Sequence, residues 1–121
     1  MTRFLAAFLS LSYIALLVFV SCNSQEEKVD FNAEVRPIIN GKCITCHGGV
    51  KQSGGFSLLF QEEALAATES GHPAILPGNA EESEMIKRIL HDDPEERMPP
   101  EGPALSKEEV NILKRWINQG A

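Results

Sequence analysis

Beyond Cys22 this 121-residue chain has only four aromatic residues: Phe31, Phe56, Phe60 and Trp116. A domain of roughly 90 residues folds alone, but with so few large rings its core is thin and leaves room for something else to fill it. Basic charge is also scarce. Eleven Lys and Arg stand against 17 Asp and Glu, a net charge of −6. A nucleic-acid partner calls for a basic surface to neutralise phosphates, so that class is set aside. Strict alternation of apolar and polar residues, the mark of a half-buried strand, is missing, and no internal repeat occurs. Cysteine is sparse and odd in number, with Cys22, Cys43 and Cys46 the whole set, so in an exported chain one thiol needs an explanation of its own.

What is present starts at the N-terminus. A single positive charge at Arg3, an apolar run from Phe4 to Val20 and a closing Ser21-Cys22 make the layout of a secretory signal. The run is short for a bilayer span. Its end, FVSC, resembles a bacterial lipobox, in which a small residue precedes a cysteine that takes lipid; Phe19 stands where leucine is usual. The expected organisation is a lipoprotein-type signal peptide over 1–21, a polar tether over 22–30 starting at a lipidated Cys22, and one domain over 31–121. An ordinary cleaved signal that happens to end near a cysteine is the alternative. Loss of residues 1–21 removes Arg3 and no acid, leaving 10 basic against 17 acidic residues and a net charge of −7. Such a chain is expected to be exported, on the periplasmic side or at the outer membrane, held to the membrane by its lipid.

Helical signals are short and separated by long loops. Val35, Ile38 and Ile39 form a helix face in FNAEVRPII, where Pro37 removes a backbone donor and predicts an irregular element. GGVKQSGGFSLLF reads as loop and extended chain, and QEEALAAT, residues 61–68, as a short helix. Asn79 with Glu82 predicts a capped helix whose apolar face is Met85, Ile86, Ile89 and Leu90, ending near His91 or Asp92. Four prolines between Pro94 and Pro103 exclude helix there. Ser106 and Glu109 then form a capping box for a terminal helix with Val110, Leu113 and Ile117 on one face, Ile112 and Trp116 beside them, and Gly120 as its stop. The expectation is an all-α domain of three or four short helices whose long loops need something to pack against.

The chemistry concentrates in GKCITCHGGV, residues 41–50. Two thiols separated by two residues reach the two vinyl groups of one haem, and a histidine directly after the second aims an imidazole at the iron; Cys-x-x-Cys-His is therefore read as covalent attachment of haem c. Three other readings compete. A redox dithiol needs a strand-turn-helix setting. A zinc site would recruit His72 or His91 to Cys43 and Cys46. A plain Cys43–Cys46 disulfide suits any exported protein. Export itself favours haem, because c-type haem is attached outside the cytoplasmic membrane.

With His47 on one face of the iron, the opposite ligand comes from Met85, Met98, His72 or His91. Met85 lies on an amphipathic helix face and reads as core. His91 at a helix end suits the carbonyl terminus, and His72 in a Gly-His-Pro loop reads as surface. Met98 in RMPPEGP sits on an extended loop stiffened by Pro99 and Pro100, the kind of holder a thioether ligand needs.

FNAEVRPIINGKCITCHG, KQSGGFSLL, AILPGNAEESEMIKRI and EERMPPEGPALSKEEVNILKRWINQGA together resemble, in that order, the planctomycete-type cytochrome c domain, a monohaem relative of small class I cytochromes c. The resemblance runs from Phe31 to Ala121. It implies a small cytochrome c-like fold around one covalently bound haem, thioethers at Cys43 and Cys46, His47 as the proximal ligand and Met98 as the distal one, with Trp116 packed near the haem. The implied function is single-electron transfer with separate redox partner proteins, the chain being a carrier rather than an enzyme. A gas-sensing or weakly catalytic haem protein with an open distal face is the alternative, followed by a zinc or dithiol module.

Overall fold

The computed structural model describes residues 26–121, so the expected signal peptide over 1–21 and the lipidation site Cys22 lie outside the described residues. The elements are a π-helical turn at Phe31–Val35, α1 at Arg36–Lys42, a 3₁₀ turn at Ser53–Gly55, α2 at Gln61–Ala64, α3 at Glu84–Ile89 and α4 at Lys107–Asn118. Among the described residues there is no strand, only the isolated bridges His47–Gln52 and Ala67–Pro73. The described residues are therefore all-α with long loops, and no described helix is long and apolar enough to cross a membrane.

Pro37 explains the irregular start. It has no N–H to give, and the chain ahead of it winds wider, the Arg36 N–H bonding the Phe31 carbonyl five residues back, before α1 continues with Pro37 in its first turn. Asp30 caps this element by accepting from the Ala33 N–H at 2.9 Å, while Glu34 accepts from the Asp30 N–H at 2.8 Å. The element buries Val35, Ile38 and Ile39, and the terminal helix packs across it.

Helix α4 is the longest element. Ser106 accepts from the Glu109 N–H at 3.2 Å and Glu109 accepts from the Ser106 N–H at 2.7 Å, the capping box expected there. Its face buries Leu113 and Ile117 completely and also meets α3. Two segments dock on its far end. Leu76–Asn79 forms a turn with Pro77 second and Gly78 third, where φ is +83° and only glycine sits without strain. The Asn79 N–H closes that turn on the Leu76 carbonyl at 2.9 Å, and the Gly78 N–H reaches the Ile117 carbonyl at 2.7 Å. The second segment is residues 26–30. Arg115 binds the Glu27 carbonyl at 2.7 Å and the Glu26 carboxylate at 3.1 Å, Gln119 accepts from the Val29 N–H at 2.8 Å, and Val29 is buried. Half of the segment read as tether is thus strapped along the terminal helix.

Two helices are shorter than their patterns. α2 stops at Ala64 rather than Thr68, because Thr68, Ser70 and His72 bond one another in a local turn. α3 begins at Glu84: Asn79 does accept from the Glu82 N–H at 3.1 Å, but Ser83 follows in extended backbone and the helix starts only after it. The end at Ile89 falls two residues before His91.

Candidate functional site

Helix α1 delivers the Cys43–His47 segment to one side of a cavity. The Ile39 carbonyl accepts from both the Cys43 and Ile44 N–H groups, at 2.9 and 3.0 Å, and the Cys43 carbonyl then accepts from Cys46 and His47, at 3.1 and 2.9 Å. These bonds wind the two thiols and the imidazole into a little over one turn. The following loop returns to lock them, the Ser53 N–H bonding the Cys46 carbonyl at 2.9 Å and the Leu58 N–H bonding the His47 carbonyl at 2.8 Å.

Cys43, Cys46, His47 and Met98 all line this one cavity, of about 330 Å³. Its wall is mostly apolar, built in part from Phe56, Leu58, Ala74, Ile89 and Leu105. Met98 comes from the loop after α3, with Pro99 and Pro100 beside it, and its N–H is held by the Arg88 carbonyl at 2.9 Å. Met85 lines the same cavity from α3 while also belonging to the core. His72 and His91 are exposed and do not line it.

The histidine is oriented by contacts that sequence patterns did not reveal. Its Nδ1 lies 2.8 Å from the Ser53 carbonyl oxygen. A carbonyl only accepts, so Nδ1 carries the proton and Nε2 keeps a free lone pair. Phe56 stacks on the ring, with centroids 4.4 Å apart at 27°. Burial lowers the His47 pKa, and Lys51 adds to that, against the Ser53 bond, which favours the charged ring. A neutral imidazole with one nitrogen tied and the other free is a ready metal ligand.

The thiols are unpaired. Burial pushes the Cys43 thiol up to about 11, with the Glu109 charge adding to the effect. A redox dithiol needs the opposite, a thiol pulled down toward neutrality, and the segment follows a helix and precedes a loop instead of joining a strand to a helix. Among the described residues no group of three or more His, Cys, Asp and Glu side chains is arranged to hold a bare metal ion, so the zinc reading lacks its ligands. The donor set suits a haem: two free thiols, a neutral imidazole, thioether sulfur and an apolar wall.

Residues 43–102 match the family model described as Planctomycete cytochrome C. The chain carries a planctomycete-type cytochrome c domain. The match starts at the first thiol of this cytochrome domain and runs through the Met-Pro-Pro segment, so it takes in both chain segments that bring sulfur and nitrogen to the cavity. It is narrower than the resemblance over 31–121, leaving out α1 and α4. No curated protein and no solved structure matches the chain.

Trp116, on α4, lies outside the matched residues. Trp116 packs against Phe31, with ring centroids 5.5 Å apart, and lines a second apolar cavity of about 340 Å³ instead of the one holding the thiols. The two cavities share Leu58 in their walls.

Proposed function

We propose that the chain is an exported monohaem c-type cytochrome, lipid-anchored at Cys22, that carries single electrons between partner proteins. The observation that carries this reading is the meeting of two free thiols, His47 and Met98 at one apolar cavity in a chain with a cytochrome c domain. Cys43 and Cys46 would hold one haem through thioether bonds, and His47 and Met98 would serve as ligands of its iron, in a small cytochrome c-like fold. The haem supplies reversible one-electron chemistry.

The chain's own residues keep the ligands still. Ser53 fixes the ring of His47 through Nδ1, Phe56 covers one ring face, and the Arg88 carbonyl ties down the backbone of Met98. Side chains held this firmly would have little to rearrange when an electron arrives or leaves, which suits a carrier working with a separate oxidoreductase. A His/Met pair also sets a higher potential than two histidines. Leu58, Ile89 and Leu105 help to exclude water, and the signal-like N-terminus and Cys22 support a place outside the cytoplasmic membrane, with redox partners that share it.

The test is the intact mass and pyridine haemochrome spectrum of protein matured in a host that attaches c-type haem. One covalent haem and a lipidated Cys22 are expected; absence of covalent haem overturns the reading. Met98→Leu should abolish the near-infrared methionine-to-iron band while Met85→Leu keeps it, and the reverse pattern would assign the sulfur to Met85. Carbon monoxide binding to reduced wild type without loss of a ligand would replace the carrier with a sensor.

A further inference from the structure

Arg88 joins the loop that carries Met98 to helix α3 in two ways. Through its backbone, its carbonyl accepts from the Met98 N–H at 2.9 Å. Through its side chain, Nε donates to Glu84 at 3.0 Å on its own helix, while Nη1 donates to Glu96, two residues before Met98. Arg88 also lines the thiol cavity, as Met98 does. Leading into these two attachment points the loop is internally braced: the Asp93 carbonyl accepts from the Glu96 and Arg97 N–H groups at 3.1 and 2.9 Å, and its carboxylate accepts from the Glu95 N–H at 2.9 Å. A braced loop pinned at Glu96 and at Met98 moves as one piece, and both pins lie on one residue.

We propose that Arg88 is the positioning residue for Met98, holding its loop against α3 so that the thioether stays at the cavity. The inference rests on the reading of Met98 as an iron ligand. Glu84 aims the guanidinium by holding Nε, which leaves the outer nitrogens free for the loop. A planar fork serves two carboxylates in fixed directions, whereas a lysine ammonium is one mobile point charge. Lysine at this position would keep the charge and lose the aim. Lys87, the neighbouring cation, bonds Glu82, two residues ahead of the helix, at 2.9 Å rather than the loop, which makes it a charge-matched control.

Two readouts on the matured holoprotein separate the proposal from the reading beneath it. The first is competition by imidazole for the ferric iron, followed by loss of the near-infrared band. Apparent affinity for an added ligand scales with the fraction of molecules in which Met98 has come away. Two half-exposed ion pairs contribute modestly, so Arg88→Gln should raise that affinity about fivefold. Arg88→Lys should recover only part of the loss, Glu96→Gln should move the same way by less, and Lys87→Gln should leave it at the wild-type value. The second readout is hydrogen exchange at the Met98 amide, expected about fivefold faster in Arg88→Gln. It needs no iron–sulfur bond. Unchanged exchange at Met98 in a folded Arg88→Gln protein overturns the clamp. A wild type without the near-infrared band overturns Met98 ligation, and the exchange comparison still decides the clamp.

Discussion

Two glycines flank the thiols, and alanine at each should act in opposite directions. A Cβ built at Gly48 falls 2.5 Å from the Ile44 carbonyl oxygen, against ordinary contact from 3.4 Å, a shortfall of about 0.9 Å. The obstacle is backbone within the Cys43–His47 turn, already committed by bonds on both sides, so no side chain swings away to relieve it. Such overpacking costs about 1–3 kcal/mol. At Gly41, inside α1, an added Cβ meets nothing within 4 Å. Alanine there gains about 0.5–1 kcal/mol by restricting the unfolded chain and favouring helix. Guanidinium unfolding of the holoprotein, with a slope of about 2 kcal/mol per M, should therefore move the Gly48→Ala midpoint down by about 1 M and the Gly41→Ala midpoint up by about 0.3–0.5 M. The Gly48→Ala spectrum should also change, since His47 is its direct neighbour. Shifts in the same direction, or a Gly48→Ala midpoint equal to wild type, would refute the close-approach argument.

Leu113 is fully buried, and Leu113→Ala should cost about 2–5 kcal/mol in the same unfolding assay through lost burial and the cavity left behind. Ser83 is buried with its hydroxyl donating to the Asn79 carbonyl at 2.9 Å and accepting from the Leu76 N–H at 2.9 Å. Ser83→Ala strands that N–H and should cost about 1–3 kcal/mol by calorimetry. The Ser106 N–H and hydroxyl hold the Glu109 pKa below its ordinary 4.5. A depressed carboxyl adds stability above its unfolded pKa and loses it as pH falls through the folded value. Wild type should accordingly exceed Glu109→Gln in stability at neutral pH, with the gap closing below about pH 4; a gap that widens in acid would show the sign to be wrong.

Local signals carried the terminal helix, because Ser106 and Glu109 need only each other and a helix between them. Pro37 likewise announced an irregular start, since a missing N–H acts within one turn. The Cys43, Cys46 and His47 spacing was legible for the same reason. Helix ends that depend on competition were less so: at Thr68 and Ser83 hydroxyls serve neighbouring turns, and pattern alone does not weigh a turn against a helix. The groups that orient His47 were not legible at all. Ser53 contributes a carbonyl, which every residue has, and Phe56 reaches the imidazole only because the loop folds back. Trp116 sits on the expected helix face, yet its partner is set by where Phe31 lands. Arg88 looks like one more surface cation until Glu96 and Met98 are brought beside it.

The strap at residues 26–30 sets a length. With lipid on Cys22, as proposed, only Asn23, Ser24 and Gln25 separate the anchored residue from Glu26, which Arg115 holds. Four extended steps cover at most about 14 Å, close to the radius of gyration of a domain this size, about 12–13 Å. The domain would ride on the bilayer like a buoy on a short chain, with the end of α4 facing down. Under that proposal the search for a redox partner would become sideways diffusion over a surface, and a partner anchored in another membrane would lie beyond its reach.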